Sequence, residues 1–221
     1  MTRDEAIAKL RQLVGKDLRP LADEHRVTVW KNNRKNKGWA GSVLERYLGL
    51  AANSRQAPDF GDWDLKLVSL KRTAGRLVVK ETMAITMLSP SHVIETPFEH
   101  SHLLAKLQRL VVPAREWVDE RETRSPLVQV VSFDLSDGEL FRQVQADYEV
   151  IRAALKQRGV RGLTGSLGVL VQARTKGPGG GSDSRAFYAR EKFVARMLGL
   201  DKAQARWQSF HRKPLVDNSD S

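Results

Sequence analysis

The chain begins with an amphipathic stretch. In residues 3–14, Ile7, Leu10 and Val14 recur at helical spacing, which predicts a helix with one apolar face. A second short helix is expected over 18–25. The stretch "WKNNRKNKGWAG", residues 30–41, has no apolar period, and its Asn, Gly and basic residues predict a loop. Helical spacing then returns, with Val43, Leu44, Tyr47 and Leu48 turned toward the core. From Asp64 the pattern changes to period two and to continuous apolar runs. "DLKLVSLKR" and "RLVVKETMAITML" predict two strands joined at "TAG" as a hairpin. A short helix is expected after Thr96-Pro97, and "LQRLVVPA" and "PLVQVVSFDL" predict further strands. Residues 136–159 form the clearest helix, with Ser136 as N-cap, Glu139 three residues later and Gly159 closing it. "GSLGVLVQARTKG" predicts a strand, "GPGGGSDS" a flexible loop, and residues 185–200 an extended start that turns helical. The polar tail, 213–221, should fray. This order predicts a mixed α/β or α+β domain.

Composition narrows the class. With 221 residues, 41% of them hydrophobic, the chain can bury a real core as one large domain or one domain with two lobes. Its net charge of +11 favours a polyanionic partner, with nucleic acid first and an acidic membrane surface second. No apolar run is long enough to span a bilayer, and the charged first residues lack the apolar centre of a signal peptide. The absence of cysteine excludes disulfides and thiolate metal sites and fits a cytoplasmic location.

Against this basic background, "PDFGDWDLK", residues 58–66, concentrates Asp59, Asp62 and Asp64 ahead of Lys66. Residues i and i+2 of a strand face the same way, so Asp64 and Lys66 should point together, with Leu65 and Leu67 opposite. Carboxylates beside a lysine suit a hard divalent cation such as Mg²⁺, which prefers oxygen ligands. They equally suit a turn followed by a solvated strand edge. His92, His100 and His102 lie close in sequence but lack zinc-ligand spacing and any cysteine.

Longer-range spacing separates these options. Lys37-Gly38-Trp39 precedes a helix carrying Glu45, and Asp59 follows Glu45 by fourteen residues. Together with the P-D…(D/E)-x-K pattern of Asp59, Asp64 and Lys66, this resembles the MutH family of mismatch-repair nicking endonucleases and their restriction relatives that cut at GATC. The resemblance continues through Lys80-Glu81-Thr82, "SHLLAKLQRL", Arg174 with Lys176, and "AFYAREKF", so it runs discontinuously from about residue 36 to 198.

The resemblance implies a restriction-endonuclease-like α/β fold, with a central mixed β-sheet flanked by helices and two lobes around a DNA cleft. One lobe, about 1–125, would carry catalysis and the other, about 126–221, DNA reading. It implies Asp59, Asp64, Glu45 and the backbone carbonyl of Leu65 as metal ligands, with Lys66 as the catalytic lysine. Lys37, Lys106, Arg174, Lys176 and Tyr188 would contact DNA, and Glu81 and His102 would support the site. The implied cofactor is Mg²⁺, with Mn²⁺ as a substitute, and the substrate is double-stranded DNA.

Asp64 stands where repair members usually carry glutamate, and the gap after Asp59 is two residues shorter than theirs. The segment around Lys66 resembles the restriction branch, whereas the length and single catalytic module suit the repair branch. The first reading is therefore a restriction endonuclease acting as a transient or stable dimer. The second is a nickase of the unmethylated strand that works with a repair partner. A non-catalytic DNA-binding protein of the same fold is the reading from another class.

Overall fold

The computed structural model describes residues 1–49, 61–136, 138–176 and 184–201. Helix α1 spans Arg3–Arg11 and is closed at its start by a capping box between Thr2 and Glu5. Helix α2 spans Leu18–Glu24, with Asp17 accepting from the Arg19 amide. The predicted loop 30–41 instead contains a small hairpin, β1 (Trp30–Lys31) with β2 (Arg34–Lys35). Its turn residues Asn32 and Asn33 have φ of 49° and 57°, which asparagine tolerates better than most residues. Two-residue strands are too short to show alternation, so the sequence pattern could not reveal them. Helix α3 spans Trp39–Tyr47.

Strand β3 (Asp64–Leu65) is followed by β4 (Val68–Thr73), β5 (Arg76–Val79) and β6 (Met83–Leu88). The β4–β5 hairpin turns at Ala74 and Gly75, both at positive φ. The single strand expected over 76–88 is broken in two. β5 pairs with β4, whereas β6 leaves for another sheet and pairs with β10, defined below. The three consecutive polar residues Lys80, Glu81 and Thr82 mark the break between the two apolar runs, a signal that the reading as one strand passed over.

Helix α4 (Pro90–Glu95) precedes Pro97, and α5 (His102–Leu107) follows Ser101, whose hydroxyl accepts from the Leu104 amide. The long strands β7 (Arg109–Glu116) and β8 (Leu127–Asp134) lead to helix α6 (Gly138–Arg158). Gly159 ends that helix at φ 63°. β9 (Val171–Thr175), β10 (Arg185–Ala189) and α7 (Glu191–Met197) complete the described chain.

Strand β7 organises the central mixed sheet. On one edge it pairs antiparallel with β8. On the other it pairs in parallel with β3 at Leu110–Val111 and then with β4 at Ala114–Glu116. β3 and β4 therefore form one interrupted strand, broken at Lys66 and Leu67. A second, antiparallel sheet has the order β6-β10-β9.

Side-chain alternation along β7 divides the interior. Leu110, Val112 and Ala114 join the larger apolar cluster with α5, α6 and α7. Val111 joins the smaller cluster under α1, α2 and α3, with Trp39 and Trp63. Buried Asp147 on α6 accepts from the amides of Val169, Leu170 and Val171 at 2.6–2.8 Å, which fixes the chain as it enters β9. Among the described residues, no helix is long and apolar enough to cross a membrane.

Candidate active site

The break between β3 and β4 opens onto a cleft of about 520 Å³. One wall is the start of α3, with Lys37, Gly38, Gly41, Ser42 and Glu45. The floor is Leu65 to Ser69, and the far wall runs from Glu81 to Ala84 with Arg115 and Lys176. Lys37, Glu45, Leu65, Lys66, Glu81 and Lys176, six residues separated by up to 139 positions in the chain, thus line one cavity.

Asp64 begins β3 beside this cleft with no exposed surface. Its Oδ2 lies 2.7 Å from Lys66 Nζ, the same-side placement that strand geometry predicts for i and i+2. Its Oδ1 lies 3.5 Å from the ammonium of Lys106 on α5. Lys106, expected as a DNA contact, is 4% exposed and its ammonium is turned onto Asp64. The physical reason is helical phase. Leu103 and Leu107 flank Lys106 on the inward side of a short helix, so the lysine points inward with them.

Burial pushes the Glu45 carboxyl above its ordinary value of 4.5. The nearby Lys66 charge opposes this shift and the Asp64 charge adds to it. Glu45 on the cleft wall and Asp64 beside the cleft are thus within electrostatic reach of each other, and both are near Lys66. These carboxylates and the backbone at Leu65 offer only oxygen donors, the donor type a hard cation takes. Among the described residues, no group of three His, Cys, Asp or Glu side chains stands together. Asp59, the expected third carboxylate, lies outside the described residues. The donors that are described fit a divalent ion held by Asp64 and Glu45.

The other expected residues divide into three groups. Lys176 is on the cleft wall, and Arg174 donates to Thr82 Oγ1 at 3.4 Å at its edge. Tyr188 on β10 is half-buried opposite Ala84 and Gln172, beside a register shift between Phe187 and Tyr188. Such an irregularity re-aims a side chain relative to the regular pleat. His102 is not among the cleft residues. Its ring stacks on His92 with centroids 3.7 Å apart, and burial, helped by that neighbour, lowers its pKa. Asp62 pairs with Arg109 at the surface, in keeping with its reading as a turn residue.

Arg115 was missed. It lies on the far strand of the cleft, between Ala114 and Glu116, and no sequence motif marks it. The available signal was a charged residue near the end of an otherwise apolar strand.

The family profile described as "DNA mismatch repair enzyme MutH" matches residues 48–143, a span that includes Asp59, Asp64, Lys66 and Lys106. Among curated relatives, the DNA mismatch repair protein MutH of Vibrio cholerae serotype O1 (strain ATCC 39541 / Classical Ogawa 395 / O395) is 28% identical over 217 residues, covering 89% of this chain and 95% of its own length. The protein of the same name from Haemophilus influenzae (strain PittEE) is 24% identical over 211 residues, covering 89% and 94%. That of Actinobacillus pleuropneumoniae serotype 3 (strain JL03) is 25% identical over 235 residues, covering 97% and 96%.

Proposed function

We propose that the chain is a MutH-type endonuclease, a reading its similarity to that family supports, and that it hydrolyses a phosphodiester bond at a specific site in double-stranded DNA with a divalent cation as cofactor. The observation that carries this reading is the cleft itself. A buried aspartate anchors a lysine at 2.7 Å beside a second carboxylate, on a chain of net charge +11.

In this reading Asp64, Glu45, Asp59 and the carbonyl of Leu65 hold Mg²⁺, or Mn²⁺ in its place. When bound, the ion supplies Lewis acidity at the scissile phosphate. Lys66 supplies a fixed positive charge where negative charge grows on the phosphate, and it orients the attacking water. Water adds to phosphorus and the 3′ oxygen leaves, giving 5′-phosphate and 3′-hydroxyl ends. Lys106 acts from behind Asp64, holding that carboxylate in place. Lys37 and Lys176 take backbone phosphates, and this makes binding salt-dependent. Arg174 and Tyr188 approach the bases, Glu81 supports the site from the cleft wall, and His102 supports it from outside the cleft, at the start of the helix that carries Lys106.

Two biological uses share this chemistry. Near full-length similarity to mismatch-repair relatives supports nicking of one strand with a repair partner. The segment around Lys66, with Asp64 in the acidic position, supports restriction of both strands by two copies of the chain. Plasmid DNA carrying GATC in unmethylated, hemimethylated and fully methylated forms separates them. Linear product from unmethylated plasmid identifies restriction, and nicks confined to the unmethylated strand identify repair. Binding without cleavage on every form would leave a non-catalytic DNA-binding protein.

A further inference from the structure

Behind the cleft lies a second buried ionic cluster that the proposed chemistry leaves unused. Glu122 is 1% exposed and sits at φ 54°, a left-handed conformation that is uncommon for glutamate. Its carboxylate accepts from Arg115 Nη1 at 2.5 Å, from Arg115 Nη2 at 3.1 Å and from Lys35 Nζ at 3.3 Å. Nη1 also donates to Ser125 Oγ at 2.8 Å. The same guanidinium lies 5.3 Å from the centre of the Trp39 ring, and Arg19 lies 5.7 Å from that ring. Trp39 is fully buried and is the first residue of α3, less than two turns before Glu45.

A strained backbone conformation persists only where its surroundings over-determine it. A two-pronged guanidinium–carboxylate pair fixes a plane, which a lysine in place of the arginine cannot do. The guanidinium held in that plane lies against the Trp39 indole, and Trp39 begins α3. Buried ion pairs of this kind add little net stability compared with apolar packing. Orientation is the more economical account of this one.

We infer that Arg115 and Glu122 are positioning residues, fixing the start of α3 so that Glu45 is held beside Asp64 and Lys66. Lys35 ties the same carboxylate to the basic β1–β2 hairpin, at the rim near Lys37. The inference rests on the reading of Glu45 as a cation-holding group.

The test titrates Mn²⁺ into the full chain without DNA, following water-proton relaxation, and records melting curves without metal. Arg115→Lys keeps the charge and loses the fork. Replacing Arg115 and Glu122 together by Met removes both charges and keeps the volume filled, so that variant is expected to fold even if Glu122→Gln alone does not. Arg115→Lys and the double variant should each weaken Mn²⁺ binding roughly tenfold, the scale seen when a group that orients ligands is lost. Their melting temperatures should stay close to that of the parent. Parent-like Mn²⁺ affinity in both variants, with weakened affinity in Glu45→Gln, overturns the positioning role alone. Parent-like affinity in Glu45→Gln overturns the reading of Glu45, and the inference falls with it.

Discussion

Asp64 and Glu122 have nearly the same immediate company and lead to different consequences. Each is a buried acid with two basic partners, Lys66 and Lys106 for one and Arg115 and Lys35 for the other. Glu122 is closed off. A planar fork occupies both of its oxygens, and Arg115 with Lys35 holds its carboxyl below the usual range although burial works to raise it. Asp64 sits at a strand break beside a cleft and within reach of a second acid, Glu45, whose carboxyl is pushed up. The count of charges therefore does not distinguish a structural cluster from a site. What distinguishes them is the second acid, Glu45, beside Asp64 and the cleft that Glu45 and Lys66 line.

The contrast breaks most visibly in catalysis. Lys66→Ala or Asp64→Asn should lower single-turnover cleavage of supercoiled plasmid roughly a thousandfold, the size of a lost positioned charge or proton-transfer group. Duplex binding in EDTA should change little. Full cleavage by either variant would sink the site assignment.

On stability the order reverses. Glu122→Ala leaves Arg115 buried without its main partner, so urea denaturation should show a loss of about 3–5 kcal/mol. A loss within the range of exposed pairs, about 1 kcal/mol or less, would mean that the cluster is looser than its geometry implies.

Acidity separates the two regions by sign. The folded Glu45 carboxyl binds its proton more tightly than the unfolded chain does, so this group favours the metal-free fold at pH below 4.5. That contribution is lost as pH rises through the raised folded value. Glu122, with a lowered value, contributes stability above its ordinary 4.5 and loses it as pH falls through the folded value. Cation binding needs Glu45 ionised. Mn²⁺ affinity should therefore fall, as pH is lowered, through a midpoint above 4.5, and Glu45→Gln should abolish that limb. An unshifted limb in Glu45→Gln would assign the titration to another group.

The smallest effect belongs to the surface. Asp62→Ala breaks only an exposed pair with Arg109, so its stability cost should be under about 1 kcal/mol and cleavage should persist. Loss of cleavage there would make Asp62 part of the site.

Legibility followed the range of the interaction. Helices α1, α3 and α6 and strands β7 and β8 could be read from apolar spacing, because a buried face imposes its period on the chain. The β1–β2 hairpin, the break between β5 and β6 and the short helix α4 could not. The hairpin strands and α4 are too short to show a period, and the polar triplet Lys80-Glu81-Thr82 at the β5–β6 break is short enough to pass for strand. Glu45 was found through its spacing to Asp59 within a family resemblance, and periodicity alone would have passed it over.

By itself, the sequence determined the local facts. Period two put Asp64 and Lys66 on one side of a strand, because that geometry is a property of the extended backbone and needs no distant partner. The basic excess likewise followed from composition alone. Tertiary structure decided that Lys106 comes inward to Asp64 across 42 positions, and that Arg115, Glu122 and Lys35 close around Trp39. Those meetings depend on how α3 and α5 pack against β7. A charged side chain is buried only where packing brings it a partner strong enough to offset its lost hydration.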